Sequence, residues 1–223
     1  QLRMTEVIAE VMPDHPAGAL AGPNIAVEIM GGYAAAATIA MPDETLATRL
    51  AALFCTARFR VYSTTDVIGI ELAGALKNIY AIAVGMADGA GAGENTKAMV
   101  VTRSAREMSR LGEALGGQRE TFAGLAGIGD LIVTCTSPHS RNRQVGQQLG
   151  RRMPLPAILA GMTQVAEGVK TAPVAIELAA KHGVDLPIAG EVNAVISGAA
   201  TVHDAYRGLL RAPPGHETKG DQW

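Results

Sequence analysis

Residues 68–84 read Ile68-Gly-Ile-Glu-Leu-Ala-Gly-Ala-Leu-Lys-Asn-Ile-Tyr-Ala-Ile-Ala-Val84, a run in which Glu71 and Lys77 are the charged residues. The segment has the length and the apolar content of a long helix. From Leu72 to Ala87 its apolar stretch is interrupted by Lys77 and Asn78, and it is shorter than the roughly 20 apolar residues that span a bilayer. It therefore predicts a buried helix in the core of a globular protein.

On the N-terminal side of this helix, short segments alternate between helical and strand-like patterns. Apolar residues from Met4 to Val11 are spaced as on one face of a helix, which Pro13 ends because proline cannot continue the hydrogen-bond ladder. Apolar runs that stop at turn residues predict strands. The predicted strands are 17–21, 36–41 and 59–63, with helices at 24–30 and 43–55 between them. This order predicts an α/β fold with a doubly wound, Rossmann-type sheet.

After Asp66 the strand signals largely vanish, and helical patterns continue to about residue 210. The predicted helices are 66–88, 95–115, 141–150, 156–160, 167–182 and 187–196. We therefore expect an α/β part at residues 1–65 and an all-α domain at residues 66–210. Residues 211–223 contain Pro213-Pro214-Gly215 and predict a disordered tail.

The composition indicates a soluble globular enzyme, since 48% of the 223 residues are apolar and 18% are charged. The formal net charge of −2 gives no electrostatic reason to expect a nucleic acid or an anionic membrane as partner. Cys55 and Cys135 are far apart and outside any metal-ligand pattern, so neither a disulfide framework nor a metal site is predicted. A reducing cytoplasm is the expected location.

Lys77 is the first candidate for chemistry, because it lies within an otherwise apolar helix. A lysine there either extends its ammonium group to water or is held by specific partners. Gly74 lies one turn before it and Ala81 one turn after it, so small residues on this face leave room for a ligand. Asn78 adds an amide that both donates and accepts hydrogen bonds. A solvent-facing lysine remains the alternative.

The second candidate lies in residues 124–143. Glycines at 124, 127 and 129 predict a sharp turn into Asp130, and a Thr/Ser-rich stretch then ends in Ser140-Arg141-Asn142. A helix that begins there would offer free N–H groups, a hydroxyl and a guanidinium, which together suit a phosphate. The alternative is an N-capping Ser140 followed by solvated Arg141 and Arg143.

Several sequence blocks stand in order along the chain and cover nearly all of it, to about Leu210. They are Gly22-Pro-Asn-Ile-Ala26, Gly74-Ala-Leu-Lys-Asn78, Glu94-Asn-Thr-Lys97, Gly127-Ile-Gly-Asp-Leu131, Thr134-Cys-Thr136, Ser140-Arg-Asn-Arg143 and Val165-Ala-Glu-Gly168. In order and approximate spacing they resemble the blocks of bacterial glycerol-3-phosphate dehydrogenases. The resemblance implies that residues 1–65 are the C-terminal part of a dinucleotide-binding domain. It also implies that residues 66–210 are a substrate-binding and catalytic domain similar to the C-terminal domain of 6-phosphogluconate dehydrogenase.

The resemblance further implies an oxidoreductase that interconverts dihydroxyacetone phosphate and sn-glycerol 3-phosphate with NAD or NADP as cofactor, in cytoplasmic glycerophospholipid and lipid metabolism. Lys77 would give and take the proton at the substrate, and Asp130 would orient and polarise Lys77. The implied substrate-binding residues are Gly22, Asn24, Lys77, Asp130, Thr134, Ser140, Arg141 and Asn142, and the implied cofactor-binding residues are Ala26, Arg141, Val165 and Glu167. The expected partners are a small-molecule phosphate ester and a second copy in a homodimer, with no metal, nucleic acid or membrane insertion.

In this family a Gly-x-Gly-x-x-Gly turn and a further lysine in a Thr-Lys-Gly block precede the part that this chain resembles. The turn lets the backbone approach the cofactor pyrophosphate, so we expect the 223-residue chain to be incomplete and inactive alone. The choice between NADH and NADPH stays open. Two alternatives also stay open: a β-hydroxy-acid dehydrogenase, which shares the Lys-Asn pair but needs no phosphate clamp, and a helical domain that only oligomerises.

Overall fold

The computed structural model describes residues 2–211, with side chains to residue 208. Its elements in chain order are α1 (Met4–Val11), β1 (Ala19–Ala21), α2 (Ala26–Met30), β2 (Ala35–Ala40), α3 (Glu44–Phe54), β3 (Phe59–Thr64), α4 (Val67–Gly89), α5 (Glu94–Ala114), α6 (Arg119–Ala123), a π-helix (Leu125–Gly129), α7 (Asp130–Thr136), α8 (Arg141–Gly150), α9 (Leu155–Ala160), α10 (Gly168–His182), α11 (Pro187–Ile196) and α12 (Val202–Arg211). The predicted tail lies outside the described residues, except that Arg211 ends α12. The predicted order of an α/β part followed by helices is confirmed.

The sheet has the strand order β1-β2-β3. β2 and β3 are parallel, with Ala35 opposite Phe59, whereas β1 pairs antiparallel to β2, with Ala21 opposite Thr38. The parallel pair is joined through α3, as in a βαβ unit. The direction of β1 was not part of the sequence prediction, because strand patterns give the position of a strand and not its direction.

Local signals explain where several helices begin and end. The Asp43 carboxylate accepts a hydrogen bond from the Leu46 N–H at 2.7 Å and so caps α3. Gly183 ends α10 in the left-handed conformation, with φ of 67°. Pro187 is the first residue of α11, where its missing N–H costs no helical hydrogen bond.

The chain forms two compact units. The first contains the residues up to Ala75 together with Gly112–Val133, and the second contains Leu76–Leu111 together with the residues from Thr134 onward. The division by contacts falls inside α4, α5 and α7. The predicted domain boundary near residue 65 is a division by sequence composition and stays a prediction.

In the first unit, alternate residues of β2 face opposite sides of the sheet. Ile39 packs with Ala51 of α3 and with Val61 of β3 on one side. Ala40 packs on the other side with Ile70 and with Ala126 of the π-helix. The sheet is therefore covered on both faces, which is the layering of a doubly wound fold.

In the second unit the core is helical. Its largest fully buried side chains include Tyr80, Ile82, Met108, Val145 and Val192, which come from α4, α5, α8 and α11. Among the described helices, α4 is the one that is long and apolar enough to cross a membrane by length and composition, but 67% of that stretch is buried inside the protein. This agrees with the predicted core helix.

The prediction of a sharp turn at residues 124–129 was wrong, because these residues form a π-helix between α6 and α7. The Gly129 N–H donates to the Gly124 carbonyl at 3.2 Å, a hydrogen bond that spans five residues. A Cβ on Gly127 would overlap the backbone of Phe122. Gly127 is therefore needed for close packing and not for a turn.

Candidate functional site

Lys77 lies on α4 between two buried neighbours. Leu76 is 3% exposed and Asn78 is 6% exposed, while Lys77 itself is half-buried. A Cβ on Gly74, one turn earlier, would meet none of the described packing atoms within 4 Å, whereas Ala81, one turn later, is fully buried. The predicted face of small residues is thus open at Gly74 and filled by packing at Ala81.

A chain of side-chain hydrogen bonds, here called the amide network, joins α4 to α8. Asn142 Nδ2 donates to Asn78 Oδ1 at 2.8 Å, and Asn78 Nδ2 donates to Glu167 Oε2 at 3.2 Å. The N–H of Gly168 donates to Asn142 Oδ1 at 2.9 Å. Both asparagines are buried, so these bonds form with little competition from water. They fix the residue next to Lys77 against the first turn of α8.

The first turn of α8 suits an anion. The Ser140 hydroxyl accepts a hydrogen bond from the Arg143 N–H at 3.2 Å, so the capping role of Ser140 is observed. The N–H groups of Arg141 and Asn142 precede that bond, in the turn where N–H groups have no intrahelical acceptor. Together with the exposed Arg141 guanidinium, they form the positive end of a ten-residue helix.

The Asn142 side chain holds other parts of the protein. Its amide nitrogen donates to Asn78, its amide oxygen accepts from Gly168, and the residue is 7% exposed. The group of Asn142 that faces the helix end is its backbone N–H. The predicted contribution of Asn142 to substrate binding is therefore best served by its backbone, while its side chain positions Asn78.

Three of the residues predicted to bind the cofactor lie together beside this helix end. Arg141 Nη1 donates to the Val165 carbonyl at 2.9 Å. The Val165 side chain is 58% exposed. Glu167 is also exposed and accepts the hydrogen bond from Asn78. An exposed apolar side chain next to a guanidinium can support an aromatic ring and a phosphate of one ligand.

The first unit brings the other predicted residues together. Gly22 has φ of +145°, and a Cβ there would lie 2.9 Å from the Ala37 Cα, so both its conformation and its packing require glycine. A Cβ on Gly129 would lie 3.6 Å from Pro23 Cδ, which places the Gly22–Asn24 loop against the residue before Asp130. Asp130 is 4% exposed.

The predicted site residues are divided between the two units. Gly22, Asn24, Ala26 and Asp130 belong to the first unit, and Lys77, Thr134, Ser140, Arg141, Asn142, Val165 and Glu167 belong to the second. Within each unit the structure brings most of them into neighbouring segments. The predicted action of Asp130 on Lys77 joins the two groups and stays a prediction.

Cys135 lies next to Thr134 on α7 and is 1% exposed. Burial raises the pKa of its thiol to about 12, so the thiol is protonated at neutral pH and is a poor nucleophile. Among the residues that the structure describes, no group of three or more His, Cys, Asp or Glu side chains could hold a metal ion.

The sequence prediction missed a close contact between α4 and α8, here called the glycine seam. A Cβ on Gly85 or Gly89 would overlap the backbone of α8 at Arg143 and Gln147, and a Cβ on Gly146 or Gly150 would overlap the backbone of α4. The two helices run parallel, since Gly85 faces residue 143 and Gly89 faces residue 147. The signal in the sequence is the four-residue spacing of glycines on both helices.

The sequence prediction also missed a cluster of charged and polar side chains, here called the Asp88 clasp. Asp88 on α4 accepts hydrogen bonds from Arg143 Nη2 at 2.6 Å and from Gln147 Nε2 at 2.7 Å, both on α8. Lys97 Nζ of α5 donates to it at 3.3 Å and also contacts Glu94 at 2.6 Å. The clasp lies beside the glycine seam and joins α5 as well as α8 to α4.

Comparison with known proteins gives matches over most of the chain. The family model described as the C-terminus of NAD-dependent glycerol-3-phosphate dehydrogenase matches residues 66–207, and the model of the N-terminus of the same family matches residues 1–47. A protein of Mycobacterium bovis named glycerol-3-phosphate dehydrogenase is 62% identical over 98% of this chain and 64% of its own length.

Two further matches agree with these. A glycerol-3-phosphate dehydrogenase of Sphingopyxis alaskensis is 56% identical over 96% of this chain and 65% of its own length. The crystal structure of glycerol-3-phosphate dehydrogenase from Coxiella burnetii superposes with a TM-score of 0.87 at 36% identity, over 92% of this chain and 63% of that one. The chain thus spans a little under two thirds of the length of these proteins.

Proposed function

The chain belongs to the family of NAD-dependent glycerol-3-phosphate dehydrogenases, and from this we propose that the protein that carries it is an oxidoreductase. Its proposed reaction interconverts dihydroxyacetone phosphate and sn-glycerol 3-phosphate with NADH or NADPH. The observation that supports this most directly is the amide network, because it holds the neighbour of Lys77 against an anion-binding helix end. One side chain can then exchange a proton while a fixed site holds a phosphate.

Lys77 is the proposed proton donor and acceptor. When the ketone is reduced, negative charge develops on its oxygen, and a positioned ammonium group stabilises that charge and then transfers its proton. In the reverse direction the neutral amine takes the proton from the alcohol. Lys77 is half-buried on α4, and a bound substrate that excluded water from its ammonium group would strengthen the interaction with the developing charge. Asp130 is proposed to orient and polarise Lys77.

The proposed site for the substrate phosphate is the first turn of α8. The N–H groups of Arg141 and Asn142 and the Arg141 guanidinium supply donors and positive charge, and arginine can bind a phosphate through two parallel hydrogen bonds. Ser140 adds its hydroxyl. We assign the remaining predicted substrate contacts to Gly22, Asn24 and Thr134 as part of the same proposal.

The proposed edge of the cofactor site consists of Arg141, Val165 and Glu167, and the family resemblance adds Ala26 to the proposed cofactor contacts. The fit is supported by the exposed Val165 side chain beside the guanidinium and by the Arg141 hydrogen bond to the Val165 carbonyl. A bound nicotinamide supplies the hydride. The chain's own residues bind and orient it and hold the substrate within reach.

The wider role follows from the product. We propose that sn-glycerol 3-phosphate made by this protein enters glycerophospholipid synthesis, that the protein acts in the cytoplasm, and that it forms a homodimer. The cytoplasmic location is supported by the two free cysteines, one exposed and one buried. The homodimer is supported by the general prevalence of twofold assemblies.

An activity assay tests the proposal. The assay uses a protein in which this chain follows the Gly-x-Gly-x-x-Gly segment of the family, because the 223-residue chain alone is expected to be inactive. The purified protein is incubated with NADH or NADPH, and cofactor oxidation is followed with dihydroxyacetone phosphate, with phosphate-free dihydroxyacetone and with the oxo form of a β-hydroxy acid as separate substrates. We expect oxidation with the phosphate ester and at least about tenfold lower kcat/KM without the phosphate, because the charged contact is then lost. Equal rates with the phosphate-free ketone would contradict the phosphate site, and reduction of the oxo acid alone would favour the other dehydrogenase class.

A further inference from the structure

The glycine seam fixes how close α8 lies to α4, but it leaves the position along the helix axis poorly determined. On each helix the two glycines are four residues apart. A shift of α8 by four residues, about 6 Å along the axis, would again place a glycine of one helix opposite a glycine of the other. Close packing of small residues therefore allows more than one register.

The amide network selects one register at the end near Lys77, and the Asp88 clasp selects the same register away from the site. The Asp88 carboxylate accepts directional hydrogen bonds from Arg143 and Gln147, which are one helical turn apart on α8. After a shift of one turn, no more than one of these two donors could face Asp88. A polar contact that selects one register among several is the best supported role of a partly buried polar group.

The electrostatics keep the clasp formed at neutral pH. The side chains of Asp88 and Arg143 are 22% and 19% exposed. Burial acts to raise the pKa of Asp88, but hydrogen bonds from Gln147 and Lys97 outweigh it and hold the pKa below its ordinary value of 3.8. A lowered pKa means that this stabilisation is present above about pH 4 and is lost as the pH falls through the pKa of the folded state.

The clasp is remote from the reacting atoms. Asp88 follows Lys77 by eleven residues on α4, which is about 16 Å along the helix axis, so a three-carbon substrate at Lys77 does not reach it. On α8, however, Arg143 follows Arg141 by two residues, and Gln147 lies one turn further along. A shift of α8 at the clasp is therefore transmitted along a rigid helix to its first turn.

We propose that Asp88 is a positioning residue that, together with the amide network, sets the register of α8 on α4, and thereby the separation between the Lys77 ammonium and the phosphate site at the first turn of α8. Fixing this separation selects for a ketone whose reacting carbon lies at one set distance from a phosphate. The inference rests on the proposed function, because it assumes that these two groups bind the two ends of one substrate.

Asp88→Ala is the test variant, since it removes Oδ2, the oxygen that accepts from both Arg143 and Gln147. We expect kcat/KM for dihydroxyacetone phosphate to fall by about tenfold, mostly through KM, because the misplaced contact binds the substrate and the transition state alike. The slower reduction of phosphate-free dihydroxyacetone should stay within about twofold of wild type. Asp88→Glu keeps the charge and should retain most of the wild-type kcat/KM.

Glu94→Gln is the matched control, because Glu94 contacts Lys97 but is 89% exposed, where an ion pair contributes little. It should leave all rates unchanged. Circular dichroism and thermal unfolding are recorded for every variant. Should Asp88→Ala not fold, Arg143→Lys, which removes the hydrogen bond from Arg143 Nη2 to Asp88 but keeps the charge, is measured in the same way.

The outcomes separate the two proposals. A wild-type protein that includes the Gly-x-Gly-x-x-Gly segment and has no activity on dihydroxyacetone phosphate contradicts the proposed function itself. If the wild type is active, and the folded variants lose stability while their rates with both ketones fall in equal proportion or not at all, Asp88 is only structural and the inference is wrong. A fall in kcat/KM that is confined to dihydroxyacetone phosphate and is largely absent in Asp88→Glu supports the inference.

Discussion

The two ends of the contact between α4 and α8 are built from different chemistry. At the end near Lys77, the buried amides of Asn78 and Asn142 bond to each other, with the exposed Glu167 at their margin. At the other end, the ionised Asp88 binds Arg143 and Lys97. Neutral amides hold a fixed geometry without adding a strong field, whereas charged groups give a stronger contact that is screened by salt. The comparison teaches that one helix pair is positioned at two places by bonds of different strength and different sensitivity to salt.

The largest expected effect is at the amide end. Lys77→Ala should lower kcat by about a thousandfold, since general acid catalysis contributes on the order of 10² to 10⁴ in rate. The fold should survive, because Lys77 is only half-buried. Steady-state rates and circular dichroism check this against Lys170→Ala, which alters an exposed lysine of α10. A folded Lys77→Ala protein with nearly normal turnover would remove Lys77 from the mechanism.

The contact between the two ends is tested by Gly146→Ala. Its Cβ would overlap the Ile82 carbonyl, so the helices must separate, and we expect a loss of about 1–3 kcal/mol in the free energy of unfolding. Gly190→Ala is the control, since a Cβ there meets none of the described packing atoms within 4 Å, and it should gain about 0.5–1 kcal/mol. Denaturant unfolding measures both. Equal effects of the two substitutions would mean that the glycine seam is not a tight contact.

Arg141→Lys tests the helix end that receives the phosphate. Lysine keeps the charge but cannot form two parallel hydrogen bonds, so KM for dihydroxyacetone phosphate should rise by about tenfold. The KM for the cofactor is measured as well, because Arg141 is proposed to touch both ligands. Arg151→Lys, at the opposite end of α8 and exposed, should change neither constant. An unchanged KM in Arg141→Lys would argue against the phosphate site.

The smallest expected effect concerns Glu107, an acidic side chain whose pKa is shifted in the opposite direction from that of Asp88. Tyr80, one turn after Lys77, is fully buried next to Glu107 of α5, and burial raises the pKa of Glu107 to about 7 despite hydrogen bonds from the N–H groups of Ile188 and Ala189. Because this pKa exceeds the unfolded value, the stabilisation is complete below about pH 4.5 and is lost as the pH rises through 7.

Thermal and denaturant unfolding at several pH values measure this loss. Between pH 6 and pH 8 the wild type should lose about 1 kcal/mol more than Glu107→Gln. Glu113→Gln, which alters an exposed residue of the same helix, should follow the wild type. A pH dependence that is identical in wild type and Glu107→Gln would show that Glu107 does not titrate in this range.

Local signals predicted much of the fold. The helix at residues 141–150 was predicted to the residue, because its capping serine and its apolar spacing are both encoded within a few positions of the sequence. The π-helix at Leu125–Gly129 was not, since its glycines are explained by packing against Phe122, a contact that only the tertiary structure reveals. The antiparallel direction of β1 was absent from the prediction because it depends on pairing with β2, which is also a tertiary contact.

The site was predictable to a different extent. Lys77 was identified from its apolar surroundings, and the start of α8 from its donors, but the remaining residues came from the family resemblance. The side-chain bonds of Asn142 join residues 64 and 26 positions apart, so no local pattern could assign them. In the sequence Asp88 is the last residue of the predicted helix 66–88, and only its three donors from two other helices distinguish it.

The glycine seam also restricts how this gene can vary. Every single-base missense change of a glycine codon introduces a residue that has a Cβ, and at Gly85, Gly89, Gly146 and Gly150 that atom would overlap the backbone of the opposite helix. We expect all missense alleles at these four codons to reduce the amount of folded protein. At Gly190, by contrast, an alanine codon should not reduce the amount of folded protein, because a Cβ there meets none of the described packing atoms within 4 Å.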